Sequence, residues 1–164
     1  ARQQSAEQAR RHKEASREPG MRWYNAVNLT FLPIMCVLYL TRGILRIYDG
    51  AKGLIYNYGQ YYEYMPPWLN ILKICTAVVF IICAVMAVKA MKDMKAMRRS
   101  GPQLYLGALA LATAAEYVYD IAWYYVLLGP YVLGYYSVMP SIIGVIIFFV
   151  LNILYFRKRQ DLLQ

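Results

Sequence analysis

Four stretches of the chain are nearly free of charge and long enough to be helices that cross a membrane: about residues 23–48, 68–91, 102–128 and 140–156. A crossing takes about 20 mostly apolar residues to cover a hydrocarbon core of about 30 Å. From Ile121 to Phe156 there is no Asp, Glu, Lys or Arg, a run that cannot lie on the surface of a water-soluble domain. The second stretch is the least obvious, because its uncharged part, Ile74 to Val88, is fifteen residues closed by Lys73 and Lys89. Lysines near span ends can snorkel, and Trp68 suits an interfacial anchor. The pattern predicts an all-α polytopic membrane protein. Residues 21–164 form one bundle of four transmembrane helices, preceded by a polar segment, 1–20.

The polar positions orient that bundle. Arg2, Arg10, Arg11, Lys13, Arg17 and Arg22 precede the first span, Lys89, Lys92, Lys95, Arg98 and Arg99 follow the second, and Arg157, Lys158 and Arg159 follow the fourth. Fourteen of eighteen basic residues thus fall on one side, which the positive-inside rule makes cytoplasmic. Both termini are expected there. The net charge of +9 is mostly this topological signal, so the lipid bilayer is the expected partner and nucleic acid is not.

Residues 1–20 have no apolar stretch of the kind found in a cleavable signal. The chain begins at Ala1, which reads as a processed or trimmed end or as part of a longer protein. Ala1 to Glu18 is rich in helix formers, contains the i,i+4 pair Glu7 and Arg11, and stops at Pro19-Gly20. It lacks an apolar face, and such a helix is marginal alone in water. It is either docked on a partner, with Arg10 and Arg11 as candidate contacts, or a helical extension of span one.

Composition agrees with a membrane class. Hydrophobic residues make up 60% and charged residues 16%, against about 45–50% and about 25% in soluble domains. Three cysteines within apolar stretches exclude a disulfide-stapled module, and read as free thiols acting as small apolar residues. Seventeen tyrosines are the most unusual feature. Eleven lie at the outer span ends or in outer loops: Tyr48, Tyr56, Tyr58, Tyr61, Tyr62, Tyr64, Tyr124, Tyr125, Tyr131, Tyr135 and Tyr136. An aromatic belt at the interface explains most of them. Their excess on one side leaves room for recognition, with Tyr58, Tyr61 and Tyr62 as partner-facing candidates.

Charges within the spans carry the candidate chemistry. Glu116 and Asp120 sit four residues apart on one face of span three, and Arg42 and Arg46 are likewise spaced in span one. At about 1.5 Å per residue, Glu116 lies about 21 Å and Asp120 about 27 Å above the inner boundary, Arg42 about 28 Å and Arg46 about 34 Å, with Lys73 about 7 Å below the outer boundary. Matched depths predict that Lys73 pairs with Glu116 and Arg42 with Asp120. Small residues at i+4 spacing, Ala108 and Ala112, continue that face of span three, which is expected to be the central helix. Pro33 is expected to bend span one. The candidate ligand-binding set is Arg42, Lys73, Glu116 and Asp120 with Tyr39 and Tyr124. Such a cluster is either a polar site in the outer leaflet or charge-paired glue that fixes the bundle's register.

Catalytic constellations are missing from the sequence. His12 is the sole histidine and lies in the polar segment, no C-x-x-C spacing occurs, and there is no glycine-rich phosphate loop. No metal, cofactor or enzymatic activity is expected. Acid/base work on a lipid by two carboxylates and an arginine ranks third among the readings.

The tail Asn152-Ile-Leu-Tyr155-Phe156-Arg-Lys158-Arg159-Gln-Asp-Leu162 resembles the N-x-x-Y-F-x-K-R-x-x-L ending of small, uncharacterised four-span proteins of clostridial bacteria. Met21-Arg22-Trp23-Tyr24 and Arg99-Ser100-Gly101-Pro102 are similar to that group's span entries. The resemblance covers about residues 21–164. It implies a multi-pass protein of the bacterial inner membrane and transfers no activity. Many of those relatives carry a short zinc ribbon before span one, whose cysteines this sequence lacks. The leading expectation is binding or transport of a small polar ligand or ion by an oligomer. The alternative is an accessory or scaffold subunit among other membrane subunits.

Overall fold

The computed structural model describes residues 21–55, 66–128, 138–159 and 163. Regular structure among the described residues is entirely helical. The helix α1 is built of three successive pieces, Arg22–Ala26, the π-helical Val27–Phe31, and Leu32–Ile55. Next come α2 (Pro67–Lys95), α3 (Ser100–Leu128) and α4 (Val138–Arg157). Two stretches, Arg22–Leu54 and Pro67–Lys95, are long and apolar enough to cross a membrane, and Ile143–Arg157 is a shorter apolar helix. The 29 residues of α3 match α2 in length, but Glu116, Asp120 and its tyrosines lower its hydropathy.

Local chemistry sets the element ends. Pro33 has no amide hydrogen and its ring crowds the carbonyl four residues back. The chain answers with the wider π turn just before it, where the Leu32 amide donates to the Val27 carbonyl, five residues back. Where a bend of span one is expected at Pro33, the helix shows this π turn. Asn28, within that turn, is buried with its Oδ1 unpaired among the described residues. Pro67 opens α2, where a fixed φ and a missing donor cost nothing. At the other end of α2 the Arg98 amide donates to the Asp93 carbonyl (2.9 Å) and the Met97 amide to the Met94 carbonyl (3.0 Å). Met97 takes the left-handed conformation, φ 54°. This double bond is the Schellman closure of a helix, here with methionine where glycine is usual, and the Met97 side chain is buried in return.

The four helices run alternately up and down, so the starts of α1 and α3 and the ends of α2 and α4 share one end of the molecule, termed basal. There Met21, Tyr24, Met94, Tyr105, Phe156 and Leu163 pack as one apolar cluster. Hydrogen bonds stitch it. Tyr24 Oη donates to the Met94 carbonyl (2.8 Å), Trp23 Nε1 to Asn152 Oδ1 (3.0 Å), and the Tyr24 amide to Tyr155 Oη (3.0 Å). Arg159 lies 3.8 Å over the Tyr155 ring and donates to the Tyr155 carbonyl, while Arg99 Nε donates to the Leu163 carbonyl. The tail motif therefore acts as a clasp that fastens α4 to α1 and α3. Beyond the clasp α4 presents Ile143, Ile146, Ile147, Leu151 and Leu154 outward.

The central helix is α2, not α3. It packs along both α1 and α3, whereas α3 meets α4 sparsely. The reason lies in a seam that the small stripe of α3 overshadowed. A Cβ at Gly43 would stand 2.9 Å from Ile81 Cγ1 and 3.1 Å from the Ala77 carbonyl oxygen. At Gly50 it would stand 2.7 Å from Ile74 Cγ1, and at Gly53 2.7 Å from Asn70 Oδ1. Two of these glycines are a heptad apart, so α1 and α2 approach closely along one straight line. The opposite side of α2 buries Phe80, Cys83 and Ala84 against Ala108 and Ala112 of α3. Of the three free thiols only Cys83 is buried; Cys36 is half-buried and Cys75 exposed.

Candidate functional site

The charges of the expected spans gather, but not in the expected pairs. Glu116 holds both arginines of α1: Arg42 Nη1 donates to its Oε1 and Arg46 Nη2 to its Oε2, each at 2.9 Å. Lys73 instead pairs with Asp49, Nζ to Oδ2 at 3.4 Å. The expected pairs Lys73 with Glu116 and Arg42 with Asp120 are both replaced. Chain direction and stem length explain the exchange. Side chains on a helix lean toward its N-terminus; α1 and α3 both ascend and lean alike, so it is the longer arginine stem that carries the Arg42 and Arg46 guanidinium groups down to Glu116. Lys73 is on the descending α2 and leans the other way, toward Asp49. Depth counted at the Cα positions ignores this lean and the length of the arginine stem.

The two arginines have different surroundings. Arg46 is enclosed, with its side chain 13% exposed. Its guanidinium carbon lies 5.0 Å from the centroid of the Phe80 ring and 4.5 Å from that of Tyr119, a contact with two ring faces at once. Nη1 donates to Thr76 Oγ1 (3.1 Å), whose own hydroxyl donates to the Lys73 carbonyl (2.9 Å). Ring faces, hydroxyl and carboxylate together satisfy a cation that would otherwise be costly to bury. Arg42 is 56% exposed and makes one bond.

Arg42 borders an open recess of about 390 Å³ between α1 and α3. Glu116 and Asp120 form its acidic side, Tyr39 and Phe80 its floor, and Thr113 and Tyr117 continue its α3 wall. Basal to it the Tyr39 and Phe80 rings, 5.9 Å apart, pack with Cys83, Ala84 and Ala108, so the recess is closed below. Asp120 makes no ion pair or hydrogen bond among the described residues, although it lies one turn from Glu116 on the same wall.

Of the six ligand-binding candidates, the recess brings together Tyr39, Arg42, Glu116 and Asp120. Lys73 is tied up beyond it, and Tyr124, half-buried one turn past Asp120, does not line it. The partner-binding candidates Arg10, Arg11, Tyr58, Tyr61 and Tyr62 lie outside the described residues, as do the polar segment and the outer-loop tyrosines from Tyr56 to Tyr64 and at 131, 135 and 136. Sequence reasoning missed Phe80, Thr113 and Tyr117. The last two flank Glu116 at i−3 and i+1, and the small residues at 112 and 115 leave room beside them.

A second cavity, about 460 Å³, sits at the basal turn between α2 and α3. Its acid is already engaged, since Ser100 Oγ donates to Asp93 Oδ2 (2.7 Å) and Arg98 stands 3.6 Å from Oδ1. Among the described residues no group of three or more His, Cys, Asp or Glu side chains could hold a metal ion. No family model, curated protein or solved structure matches the chain.

Proposed function

We propose that this chain is a four-span protein of the bacterial inner membrane, with both termini cytoplasmic, that binds a small polar ligand in the recess between α1 and α3. The basal end, with Lys92, Lys95, Arg98 and Arg99 at its turn and Arg157 at the tail, is the cytoplasmic end on this reading. The recess then opens in the outer half of the bilayer. The observation that carries the proposal is Asp120. A carboxylate that stands in a cavity at membrane depth without a protein partner needs one from elsewhere, whereas Glu116 beside it already has two. The proposed role is non-catalytic: among the described residues no hydroxyl that lines the recess is hydrogen-bonded to a carboxylate that could activate it.

Binding is favoured over conduction by the closed floor. Movement of a ligand to the cytoplasmic side requires the Tyr39 and Phe80 layer, and Tyr105 below it, to part. A second reading, an accessory subunit or a self-associating protomer, draws support from the half-exposed Arg42 and from the outward apolar face of α4. On that reading a neighbouring chain covers the guanidinium.

The test is carboxyl chemistry on the folded protein. A water-soluble carbodiimide with a nucleophilic tag should label Asp120 in the detergent-solubilised chain, leave Glu116 unlabelled, and label neither site in Asp120→Asn. Protection of Asp120 until the protein unfolds would retire the binding site and leave the subunit reading standing.

A further inference from the structure

We infer that the ligand of the recess is dipolar: a molecule that carries an ammonium group and an anionic group a short distance apart. This rests on the reading of the recess as a binding site and names the chemistry it takes. The argument is one of charge and unused hydrogen bonds. Arg42, Arg46, Glu116 and Asp120 sum to zero, so the site as a whole selects neither a cation nor an anion. Within it the charges are divided. Glu116 is neutralised by two arginines, and Arg46 is sealed between Phe80 and Tyr119. What remains free is one acid, Asp120, and most of one base. Arg42 uses Nη1 for Glu116 and has the rest of its five N–H donors available.

A lone ammonium drawn to Asp120 meets the Arg42 charge, and a lone anion drawn to Arg42 meets Asp120. At membrane depth such like-charge contacts are weakly screened and select strongly against either one. A dipolar ligand satisfies both groups without adding net charge. Tyr39, Thr113 and Tyr117 also line the recess, and residues that carry hydroxyls suit the neutral middle of such a molecule. The volume of about 390 Å³ suits either a free amino acid or a lipid headgroup that pairs phosphate with a primary amine. The two sources share one chemistry. The lateral opening between α1 and α3 admits either.

The experiment uses the full chain, stripped of lipid in detergent, and reads thermal stability against added probe. The soluble probes are ω-amino acids from glycine to 6-aminohexanoate, with butylammonium and butyrate as single-charge controls. The lipid probe is dihexanoyl phosphatidylethanolamine, with the phosphatidylcholine and phosphatidylglycerol analogues beside it. At least one dipolar primary amine should stabilise the protein with an affinity tenfold or more above both single-charge controls. Asp120→Asn and Arg42→Gln should each weaken it tenfold or more. In Arg42→Gln the Arg46 contact with Glu116 remains, so folding is retained. Saturation by amino acids alone identifies a soluble ligand, saturation by the ethanolamine lipid alone a headgroup, and either result upholds the inference. Butylammonium or butyrate binding as tightly as the dipolar probes would overturn it, as would no binding of any dipolar probe. Should a variant fail to fold, the comparison of probes on the unaltered chain still decides. Carbodiimide labelling of Asp120 without any dipolar binding would sink the inference while leaving the recess a site.

Discussion

Replacing Glu116 with glutamine removes the one charge that two arginines share, and its cost can be worked from their surroundings. Arg46, 13% exposed and held between two rings, cannot reach water or a headgroup once its carboxylate is gone. Breaking a buried pair in this way typically costs about 3–5 kcal/mol. Arg42, 56% exposed, can turn outward, and its share is that of a surface pair, about 0–1 kcal/mol. Glu116→Gln should therefore destabilise by about 3–5 kcal/mol, nearly all of it through Arg46. Adding Arg46→Met, which keeps an apolar stem against Phe80 and Tyr119, should recover much of the loss. The coupling between the two sites should lie in the upper part of the about 0.5–3 kcal/mol range of contacting residues. Adding Arg42→Gln should recover little, and adding Lys73→Met nothing, because Lys73 belongs to Asp49. The assay is denaturant or thermal unfolding of the detergent-solubilised chain in three double-mutant cycles against Glu116→Gln. Additive losses for Glu116 and Arg46, or coupling as large with Lys73, would refute the network.

The α1–α2 seam makes a second expectation. Gly50→Ala should destabilise by about 1–3 kcal/mol through overpacking, and Ile74→Ala should relieve only part of it, because the Asn70 carbonyl oxygen stands 3.2 Å away beside the Ile74 side chain. Gly43→Ala should likewise be relieved only in part by Ile81→Ala, since the Ala77 carbonyl oxygen, 3.1 Å away, also stands in the way; full rescue at either site, read by the same unfolding assay, would contradict the seam. Topology is checked by labelling single cysteines in a chain whose Cys36, Cys75 and Cys83 have been replaced. An impermeant maleimide should reach Lys52→Cys from the periplasmic side of spheroplasts and Ala96→Cys only after lysis, and the reverse pattern would invert the proposed orientation.

Helix positions were legible because charge and apolar runs speak directly about length. The expected 68–91 and 102–128 fall inside α2 and α3 with ends moved by a few residues, and a left-handed Met97 is the one cap that no pattern announces. Pairing was less legible. Counting depth uses only the rise per residue, but which acid meets which base depends on the stem length and the lean of each side chain, the lean following from whether its helix ascends or descends. That rule was available from the alternating topology alone and would have sent Lys73 toward Asp49. The choice of α3 as the central helix failed for a different reason. Alanines mark a face that tolerates close approach, and Ala108 and Ala112 do pack closely. Gly43 and Gly50 mark one that requires it, and their heptad spacing lay in plain sequence. The tail motif carries a resemblance in the sequence, and its role as a clasp comes from contacts with Trp23, Tyr24 and Tyr105, which no local pattern connects.

Glue and site are not alternatives for the acidic pair, because one helical turn separates two carboxylates with different neighbours. Glu116 lies where α1 comes near enough for both arginines to reach it, and that contact fixes the distance between α1 and α3. Among the described residues Asp120 has no ion-pair partner, because the two cations that could have reached it are both engaged by Glu116. The same geometry leaves Arg42 with a carboxylate on one side and the recess on the other. A protein that wanted only register could have used the Arg46 and Glu116 pair with a hydrophobic residue at each of positions 42 and 120, and would have gained stability by doing so. The retention of an extra acid and an extra base, facing one cavity and not each other, is the physical argument for a ligand.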